Sequence, residues 1–373
     1  MTDLPALPPE DDGLTDGQAG RIILTVPITR ILKGTVVAGS YFGMSVEDRK
    51  TSRTLGVVMA IFGCIFAAGC DRNNGDTGWQ SGEPLPKAPP VEAGATLTFG
   101  DIDPDTPMYK ISRMQPLADH LAMELGWDPA RVTIRIARSV EEMATMIVDG
   151  QVDIYMDSLY PTLLVRELAE TRLFLSLVVE NQRSYHALVV GRATSDLNTL
   201  DQLVGRTIAA QEGFSTSGYL LPIAMLIERG YRLQRLNGPE PHPAPDAIGF
   251  FFSGDEENTV AMIRNGAVPA GTLSSEDYDD LPRQVRDELR VLARTEEVPR
   301  KIASIRSDLD PALVGQVREI LLAITEDDRE RMIEETPGRG WRWEFESIQP
   351  ATEAGIERVQ TMIGTISELE AGG

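Results

Sequence analysis

The sequence predicts an α/β protein of two lobes, with a chain that crosses between them twice. The first observation is the order strand, helix, strand, helix, strand in residues 96–156, which favours parallel strands covered by helices. The second is a further alternation of strands and helices in residues 206–295. The third is a pair of candidate crossings, at residues 181–185 and near residues 281–292. Two crossings give two discontinuous lobes hinged around a cleft, and closure of the hinge on a ligand is the motion we expect.

The first lobe begins with a short strand at residues 96–100 and an amphipathic helix at residues 108–125. Residues 132–136 alternate as a strand, and residues 139–149 form a helix that begins at a serine cap and ends before a glycine. Residues 152–156 are the third strand. The first helix carries apolar residues at the spacing of one helical face, namely Met114, Leu117, Leu121 and Leu125.

The remaining elements follow from short apolar runs and turn residues. Residues 237–246 contain four prolines and are predicted to be a loop. We expect the first lobe to comprise residues 96–182 and 286–373, and the second lobe residues 183–285. The predicted strands are at residues 173–179, 185–190, 206–210, 248–252, 267–272 and 291–295, and the predicted helices at 200–203, 217–229, 256–264, 311–324 and 352–369.

The composition excludes several classes of function. The chain has 373 residues, 35 basic against 57 acidic, and a net charge of -22, so it lacks the basic surface that a nucleic-acid backbone requires. Its only cysteines are Cys64 and Cys70, and its three histidines are scattered. With no Cys/His cluster at ligand spacing, we expect neither a metal site nor a cofactor.

A segment typical of an export signal lies well inside the N-terminal part of the sequence. Three basic residues precede the apolar run 55–69, which is shorter than the roughly 20 residues of a membrane-spanning helix. The small residues before Cys70 resemble a bacterial lipobox, so residues 44–69 are predicted to be a lipoprotein signal peptide and Cys70 to be acylated. A short transmembrane anchor is the alternative.

The regions on either side of this signal have no predicted fold. Signal peptides begin near the N-terminus, so we expect Met44 to be the true start; the alternative is that residues 1–43 are a cytosolic extension. Residues 70–95 are rich in glycine and proline and poor in apolar residues, which is typical of a flexible tether.

A cluster of hydroxyl residues follows the strand at residues 206–210. Residues 211–222 read QEGFSTSGYLLP, so Ser215, Thr216 and Ser217 lie where that strand turns into a helix. The first backbone N–H groups of a helix have no intrahelical partner and carry partial positive charge. The turn can therefore bind an oxyanion, and Gly218 allows its backbone to approach a ligand closely. The alternative is an ordinary N-cap, for which serine and threonine are also preferred.

Several segments in this order resemble the PhnD-like substrate-binding proteins of phosphate, phosphite and phosphonate ABC importers. The resemblance covers about residues 97–345 and implies a periplasmic binding protein of type 2. It also implies that Ser215, Thr216 and Ser217 hold the oxyanion, that the Tyr160 hydroxyl reaches it, and that Tyr109 is a weaker candidate from the other lobe. Core packing is the alternative for Tyr160. The matching segments are QPLA at 115–118, GQVDI at 150–154, LDQLVGR at 200–206, and STSGY at 215–219 followed by Pro222.

This chain departs from the family pattern where the ligand's other end is expected. Relatives have Gly-Ser-His before a helix, whereas this chain has Gly254, Asp255 and Glu256 at that place. Relatives also have the segment Gly-x-Val-Asp-Ala, and this chain has Pro269 where that segment has its aspartate. A carboxylate facing a dianion is unfavourable unless it is protonated or paired with a cation. Glu256 is thus a candidate for holding the amine of an aminoalkyl phosphonate, as acids do in some relatives, or is a helix-start acid like Asp255. Asp157 replaces a usual glycine and adds negative charge near the cleft.

The resemblance implies a lipid-anchored protein of the periplasm or cell envelope that captures a small oxyanion and delivers it to an ABC permease. The alternative is a sensory module of the same fold that reports its ligand to a membrane signalling partner. Catalysis is not expected, because no nucleophile motif or metal spacing occurs in the sequence.

Overall fold

The structure is a computed structural model that describes residues 94–179, 181–334 and 342–372, all within the compact unit Gly82–Gly373. Among these residues, no helix combines the length and the apolar composition needed to cross a membrane. Four predicted features lie outside the described residues: the extension 1–43, the signal peptide 44–69, Cys70, and the tether up to residue 93.

Strands account for most of the predicted apolar runs. The first of them, LTFGDI, is buried along its whole length, as is typical of a strand covered by helices on both faces. The strands are β1 (Leu97–Ile102), β2 (Val132–Ala137), β3 (Ile154–Asp157), β4 (Arg172–Val178), β5 (Ser184–Tyr185), β6 (Ala187–Arg192), β7 (Thr207–Ala210), β8 (Arg232–Arg235), β9 (Ala247–Phe252), β10 (Ala270–Ser274), β11 (Leu289–Arg294), β12 (Val298–Pro299), β13 (Lys301–Ile305) and β14 (Glu344–Glu346).

Helices occupy the amphipathic segments between the strands. The Ser139 hydroxyl accepts the backbone N–H of Glu142 at 3.2 Å and begins the second helix, as its sequence predicts. The helices are α1 (Pro107–Glu124), α2 (Val140–Val148), α3 (Leu159–Ala169), α4 (Leu221–Glu228), α5 (Glu256–Asn265), α6 (Ser275–Asp280), α7 (Arg283–Asp287), α8 (Pro311–Ala323), α9 (Glu326–Glu334) and α10 (Pro350–Gly372), with 3-10 turns at Pro129–Arg131 and Leu200–Leu203 and a π-helical turn at Thr216–Leu220.

The strands form two six-stranded sheets and one small sheet. The first sheet has the order β14-β4-β13-β3-β1-β2, and the second has the order β11-β6-β10-β7-β9-β8. Strands β10, β7, β9 and β8 run parallel, as do β3, β1 and β2 in the first sheet. The carboxyl ends of neighbouring parallel strands meet at one edge of a sheet, so the turns after β7, β9 and β10 lie side by side. We call the first sheet with its helices the first lobe and the second sheet with its helices the second lobe.

The chain passes between the two sheets at β5 and β12, which pair with each other. The expected second crossing near residues 281–292 is wrong, because β11 belongs to the second sheet, where Val291 pairs with Val190 of β6. The chain leaves that sheet only after Arg294, and Val298 then pairs with Tyr185. The boundary expected at residues 285 and 286 therefore moves to the segment after β11.

A shared apolar cluster joins the elements on either side of the crossings. The last helix, α10, contributes one face to it, although the sequence assigns this helix to the first lobe alone. The cluster contains Leu163 of α3, Tyr219 and Leu226 of the second lobe, and Ile356, Val359, Met362 and Ile366 of α10. Helix α10 therefore packs against both lobes.

Candidate functional site

The hydroxyl turn follows β7 and begins the helical segment that continues into α4. The N–H of Leu220 donates to the carbonyl of Ser215 at 3.0 Å, and the N–H of Leu221 donates to the carbonyl of Thr216. These bonds close a π-helical turn, which is rare and is often found at functional sites. The turn lies at the carboxyl edge of the second sheet, where α/β proteins usually place their ligands.

Ser215 is the N-cap of this helical segment. Its hydroxyl accepts the N–H of Gly218 at 2.9 Å and donates to Oε1 of Gln211 at 3.1 Å. Ser215 therefore caps the helix, which the sequence predicts as the alternative to oxyanion binding. Capping and anion binding are compatible here, because one hydroxyl satisfies only one of the N–H groups at a helix start.

Thr216 contacts the first lobe. Its hydroxyl accepts the backbone N–H of Tyr160 at 2.9 Å and donates to the Ser158 hydroxyl at 3.0 Å. Ser158 is the N-cap position of α3, so the starts of two helices from different lobes meet at one threonine. Two helix N-termini directed at one position concentrate partial positive charge there.

Tyr185 contacts the same turn. It lies in β5, which pairs with β12 in the small sheet at the crossings, here called the hinge sheet. The Tyr185 hydroxyl lies close to the hydroxyls of Thr216 and Ser217, and burial raises the pKa of this tyrosine. The Arg300 guanidinium lies 4.5 Å from the centroid of the Tyr185 ring and donates from Nε to Glu276 at 2.6 Å. A residue of the crossing is thereby connected to the turn.

Asp157 lies at the carboxyl end of β3, directly before α3. Its carboxylate accepts the N–H of Ser158 at 2.6 Å and the hydroxyl of Tyr155 at 2.9 Å. Burial and the neighbouring Asp101 carboxylate raise the pKa of Asp157, while Lys301 and Lys110 oppose this rise. The Asp157 carboxyl group, which the sequence predicts to add negative charge near the cleft, thus has two lysines beside it as well as Asp101.

Those lysines share Asp101 as a partner. Lys110 Nζ lies 3.3 Å from Asp101 Oδ2, and Lys301 Nζ lies 3.9 Å from the same atom. Burial lowers the pKa of Lys301, whereas for Lys110 the attraction of Asp101 and Asp157 outweighs burial and raises the pKa. The first lobe thus presents a nearly neutral group of two lysines and two aspartates beside the start of α3.

The second lobe carries acidic groups at the same edge as the turn. Burial raises the pKa of Glu212 to about 7, and Glu256 and Asp255 add to the rise. Burial raises the pKa of Glu256 to about 7 as well, with the largest charge contribution from Asp277. Asp255 itself caps α5, accepting the N–H of Asn258 at 2.6 Å. Glu256 lies in the first turn of α5, and its carboxyl group is in a partly buried acidic environment.

The predicted site residues differ in their burial and in their contacts with the turn. Tyr160 is 6% exposed and packs with its ring centroid 6.5 Å from that of Tyr219, while its N–H is bound to the turn. Tyr109 is 46% exposed in the first turn of α1, where Arg113 lies 4.8 Å from its ring centroid. The expectation that Pro269 lies at the ligand's other end is wrong, because it precedes β10 at the amino end of the parallel strands, opposite the edge that carries the turn.

Several residues that the fold brings to this site are not predicted as site residues from the sequence. Gln211 and Glu212 follow β7 directly and could have been found from that position alone. Three further residues could not have been found from the sequence, namely Lys110, Arg300 and Lys301. Their placement depends on the path of the chain through the second crossing and on how α1 packs. In the described segments, no group of three or more His, Cys, Asp or Glu residues is arranged to hold a metal ion.

Comparison with known proteins gives one family match and several structural neighbours. Residues 104–350 match the family described as "ABC transporter, phosphonate, periplasmic substrate-binding protein". XAC2383 from Xanthomonas citri, bound to a chloride ion, is 25% identical with a TM-score of 0.66, and the match covers 73% of this chain and 99% of that one.

Two further neighbours are similar at lower identity. PhnD1 from Prochlorococcus marinus, in complex with methylphosphonate, is 14% identical with a TM-score of 0.56, covering 73% of this chain and 98% of that chain. A binding protein component of an ABC phosphonate transporter from Pseudomonas aeruginosa is 14% identical with a TM-score of 0.51, covering 74% and 97%. At this identity the two structures show the fold, which is that of a type 2 periplasmic binding protein.

Proposed function

The chain belongs to the family of periplasmic substrate-binding proteins of phosphonate ABC transporters, and we propose that it captures a phosphonate, phosphate or phosphite-like oxyanion between its lobes. The permease of such a transporter is the partner that receives the ligand. The methylphosphonate complex of PhnD1 supports this class of ligand, because that protein shares the fold.

The observation that carries the proposal is the meeting of two helix starts at Thr216. The N–H of Tyr160, in the first turn of α3, donates to the hydroxyl of Thr216, the first residue of the second-lobe turn, and the Ser217 and Tyr185 hydroxyls lie beside it. Helix N-termini bind oxyanions through their unpaired amides and their partial positive charge. Hydrogen bonds to a charged acceptor strengthen when closure of the lobes excludes water.

The acidic groups of the second lobe favour a ligand with a second, cationic end. An oxyanion near Glu212 and Glu256 is unfavourable while these groups are ionised, and their pKa values of about 7 leave them partly protonated at neutral pH. A ligand amine would compensate their charge. An aminoalkyl phosphonate carries both groups, with the phosphonate at the turn and the amine at the acids, whereas a plain oxyanion would require both acids to be neutral.

A thermal-shift screen tests the ligand class. Phosphate, phosphite, methylphosphonate and 2-aminoethylphosphonate are each added to the purified protein, with methylamine as a compound that carries only the cationic group. A ligand at 100 times its Kd stabilises the folded state by about 2.7 kcal/mol, so at least one phosphorus oxyanion should raise the melting temperature by several degrees. The proposal is wrong if none of the four compounds shifts the melting temperature.

We further propose that acylation of Cys70 after cleavage of the signal peptide 44–69 holds the protein at the membrane surface. Acyl chains on one cysteine anchor a protein without a spanning segment. Mass spectrometry of the native protein should show a mature chain that begins with a lipid-modified Cys70, and the C70S variant should be released from the membrane fraction. A native chain that still carries residues 1–43 contradicts this proposal.

A further inference from the structure

The side chain of Gln211 lies inside the hydroxyl turn. Gln211 is the first residue after β7 and is 5% exposed. Its backbone N–H donates to the carbonyl of Gly218 at 3.1 Å, which holds the beginning and the end of the turn together. The Gln211 carboxamide is therefore fixed against the helix start and cannot reach freely into solvent.

Gly218 makes room for this carboxamide. A Cβ atom at residue 218 would lie 2.5 Å from both Cβ and Cδ of Gln211 and would overlap its Oε1 atom. Real Cβ atoms do not approach other atoms so closely. The absence of a side chain at Gly218 is thus explained by the space that Gln211 occupies within the turn.

Ser215 orients the two ends of the carboxamide. A hydroxyl has one proton to donate, and Ser215 donates its proton to Oε1 of Gln211 while accepting the N–H of Gly218. Both hydrogen bonds keep the Ser215 side chain within the turn. The carbonyl end of the carboxamide faces Ser215, so the NH2 group is the end left for another partner.

The Nε2 atom of Gln211 is buried and has no hydrogen-bond partner within the described part of the chain. A carboxamide NH2 has two protons to donate, and a buried donor without an acceptor is unfavourable. Because the adjacent helix start carries partial positive charge, the acceptor that suits both groups is an oxyanion.

We propose that Gln211 is a ligand-contacting residue that donates a hydrogen bond from Nε2 to an oxygen of the bound oxyanion, with Ser215 as the residue that positions it. The inference rests on the proposed function and specifies it further. A carboxamide NH2 group donates and does not accept, so it favours an unprotonated oxygen of a tetrahedral anion. Ser215 then acts through Gln211 and the cap.

Calorimetric titration of the full chain with phosphate, phosphite, methylphosphonate and 2-aminoethylphosphonate tests this assignment on whichever of them the parent protein binds. The Q211M variant keeps the length of the side chain but has no donor, and loss of a hydrogen bond to a charged group should weaken binding by about 10- to 100-fold. The matched control is Q115M, on the exposed face of α1, and it should bind as the parent does. Equal affinity of Q211M and the parent would overturn the inference.

The Q211E variant gives a second readout that a purely structural role would not produce. It is nearly isosteric but places an acceptor where the donor was, so binding should require an added proton and should strengthen as the pH falls. In ¹⁵N-labelled parent protein, the side-chain amide signal that disappears in Q211E should shift when the phosphorus oxyanion that the parent binds most tightly in calorimetry is added. An unshifted signal, or a Q211E pH profile identical to that of the parent, contradicts the inference even if Q211M does not fold.

These outcomes separate the inference from the function on which it rests. A parent protein that binds and a Q211M variant that binds equally well overturn only the role of Gln211. A parent protein that binds none of phosphate, phosphite, methylphosphonate and 2-aminoethylphosphonate overturns the proposed ligand class and the role of Gln211 with it.

Discussion

The Thr216 hydroxyl accepts the backbone N–H of Tyr160 at 2.9 Å, which links the hydroxyl turn of the second lobe to the first turn of α3 in the first lobe. The same hydroxyl donates to Ser158, so its proton and one of its lone pairs are used between the lobes. Thr216 is 1% exposed, and the sequence predicts for its turn either oxyanion binding or an ordinary N-cap, neither of which includes a contact between lobes. In the structure it also holds the lobes together.

Removal of this hydroxyl should loosen the contact between the lobes. Thr216→Val keeps the shape of the side chain but leaves the N–H of Tyr160 without its acceptor, which should lower the free energy of unfolding by about 1–3 kcal/mol. Urea unfolding measures the loss. The control is Thr361→Val, because the Thr361 hydroxyl bonds only within its own exposed helix face, to the Glu357 carbonyl.

The separation of the lobes can be measured in the same variant. The chain has no cysteine after Cys70, so E141C on α2 and E257C on α5 provide unique sites for spin labels in the mature protein. We expect a broader or longer distance distribution in Thr216→Val than in the labelled parent. Identical distributions would show that this hydrogen bond does not hold the lobes.

Stability should fall as the pH rises from about 4.5 to about 7. Glu212 and Glu256 have pKa values of about 7 in the folded state against an ordinary value of 4.5. As the pH rises, the unfolded state therefore loses these protons at a lower pH than the folded state does, which favours unfolding. One pKa unit corresponds to about 1.4 kcal/mol, and because both groups are partly exposed to solvent screening, each should remove about 1–2 kcal/mol above pH 7.

The variant E212Q/E256Q should lack this part of the pH dependence. Urea unfolding at pH 5 and pH 8 is compared for the parent, for this variant and for E228Q/E240Q, which removes two exposed charges from the same lobe. We expect the parent and the control to lose more stability between the two pH values than E212Q/E256Q does. Equal losses in all three proteins would mean that the two acids titrate normally.

Ligand binding at pH 7 should change the protonation of the same two acids. An oxyanion without an amine raises their pKa and takes up protons, whereas an amine placed beside them lowers their pKa and releases protons. Titration calorimetry in buffers of different ionisation enthalpy gives the number of protons exchanged on binding and shows whether they are taken up or released. Proton uptake with methylphosphonate and release with 2-aminoethylphosphonate is the expected result, and the same sign for both compounds would argue against an amine site at these acids.

The contact between α10 and the hinge strand β12 depends on Gly355. A Cβ atom at this residue would lie 2.9 Å from Cγ of Pro299 and would overlap its Cδ atom, whereas a Cβ at Gly364 of the same helix would meet nothing within 4 Å. Gly355→Ala should therefore lower the free energy of unfolding by about 1–3 kcal/mol. Gly364→Ala should raise it by about 0.5–1 kcal/mol, because alanine is the better helix residue. If Gly355→Ala were also more stable than the parent, α10 would not be closely packed against Pro299 of β12.

Much of the fold could be predicted because local patterns carry it. The alternation of residues 96–156, the serine cap at Ser139 and the strand before the hydroxyl turn all depend on neighbouring residues, and the structure agrees with them. Strand β8 was missed because only Leu233 of its four residues is buried, so RLQR carries no strand signal. The second crossing was misplaced because β11 is recognisable as a strand of the second sheet only through its pairing with β6.

The site could be predicted only where it is continuous in sequence. The turn at Ser215, Thr216 and Ser217 is one segment, and its position after a strand suffices to identify it. The contacts from Tyr185 and Ser158 come from parts of the chain that are distant in sequence, and no local pattern contains them. The error at Pro269 has the same origin, because only the strand register shows which end of β10 it occupies.

The most direct test of the central claim is a calorimetric titration of S215A/S217A with the phosphorus oxyanion that the parent protein binds most tightly. We expect this variant to give no measurable binding heat at ligand concentrations that saturate the parent. The control S112A/S367A, which removes two hydroxyls bonded to carbonyls of their own helices, should bind as the parent does. If S215A/S217A bound as tightly as the parent, the turn would be only a helix cap and the oxyanion would bind elsewhere.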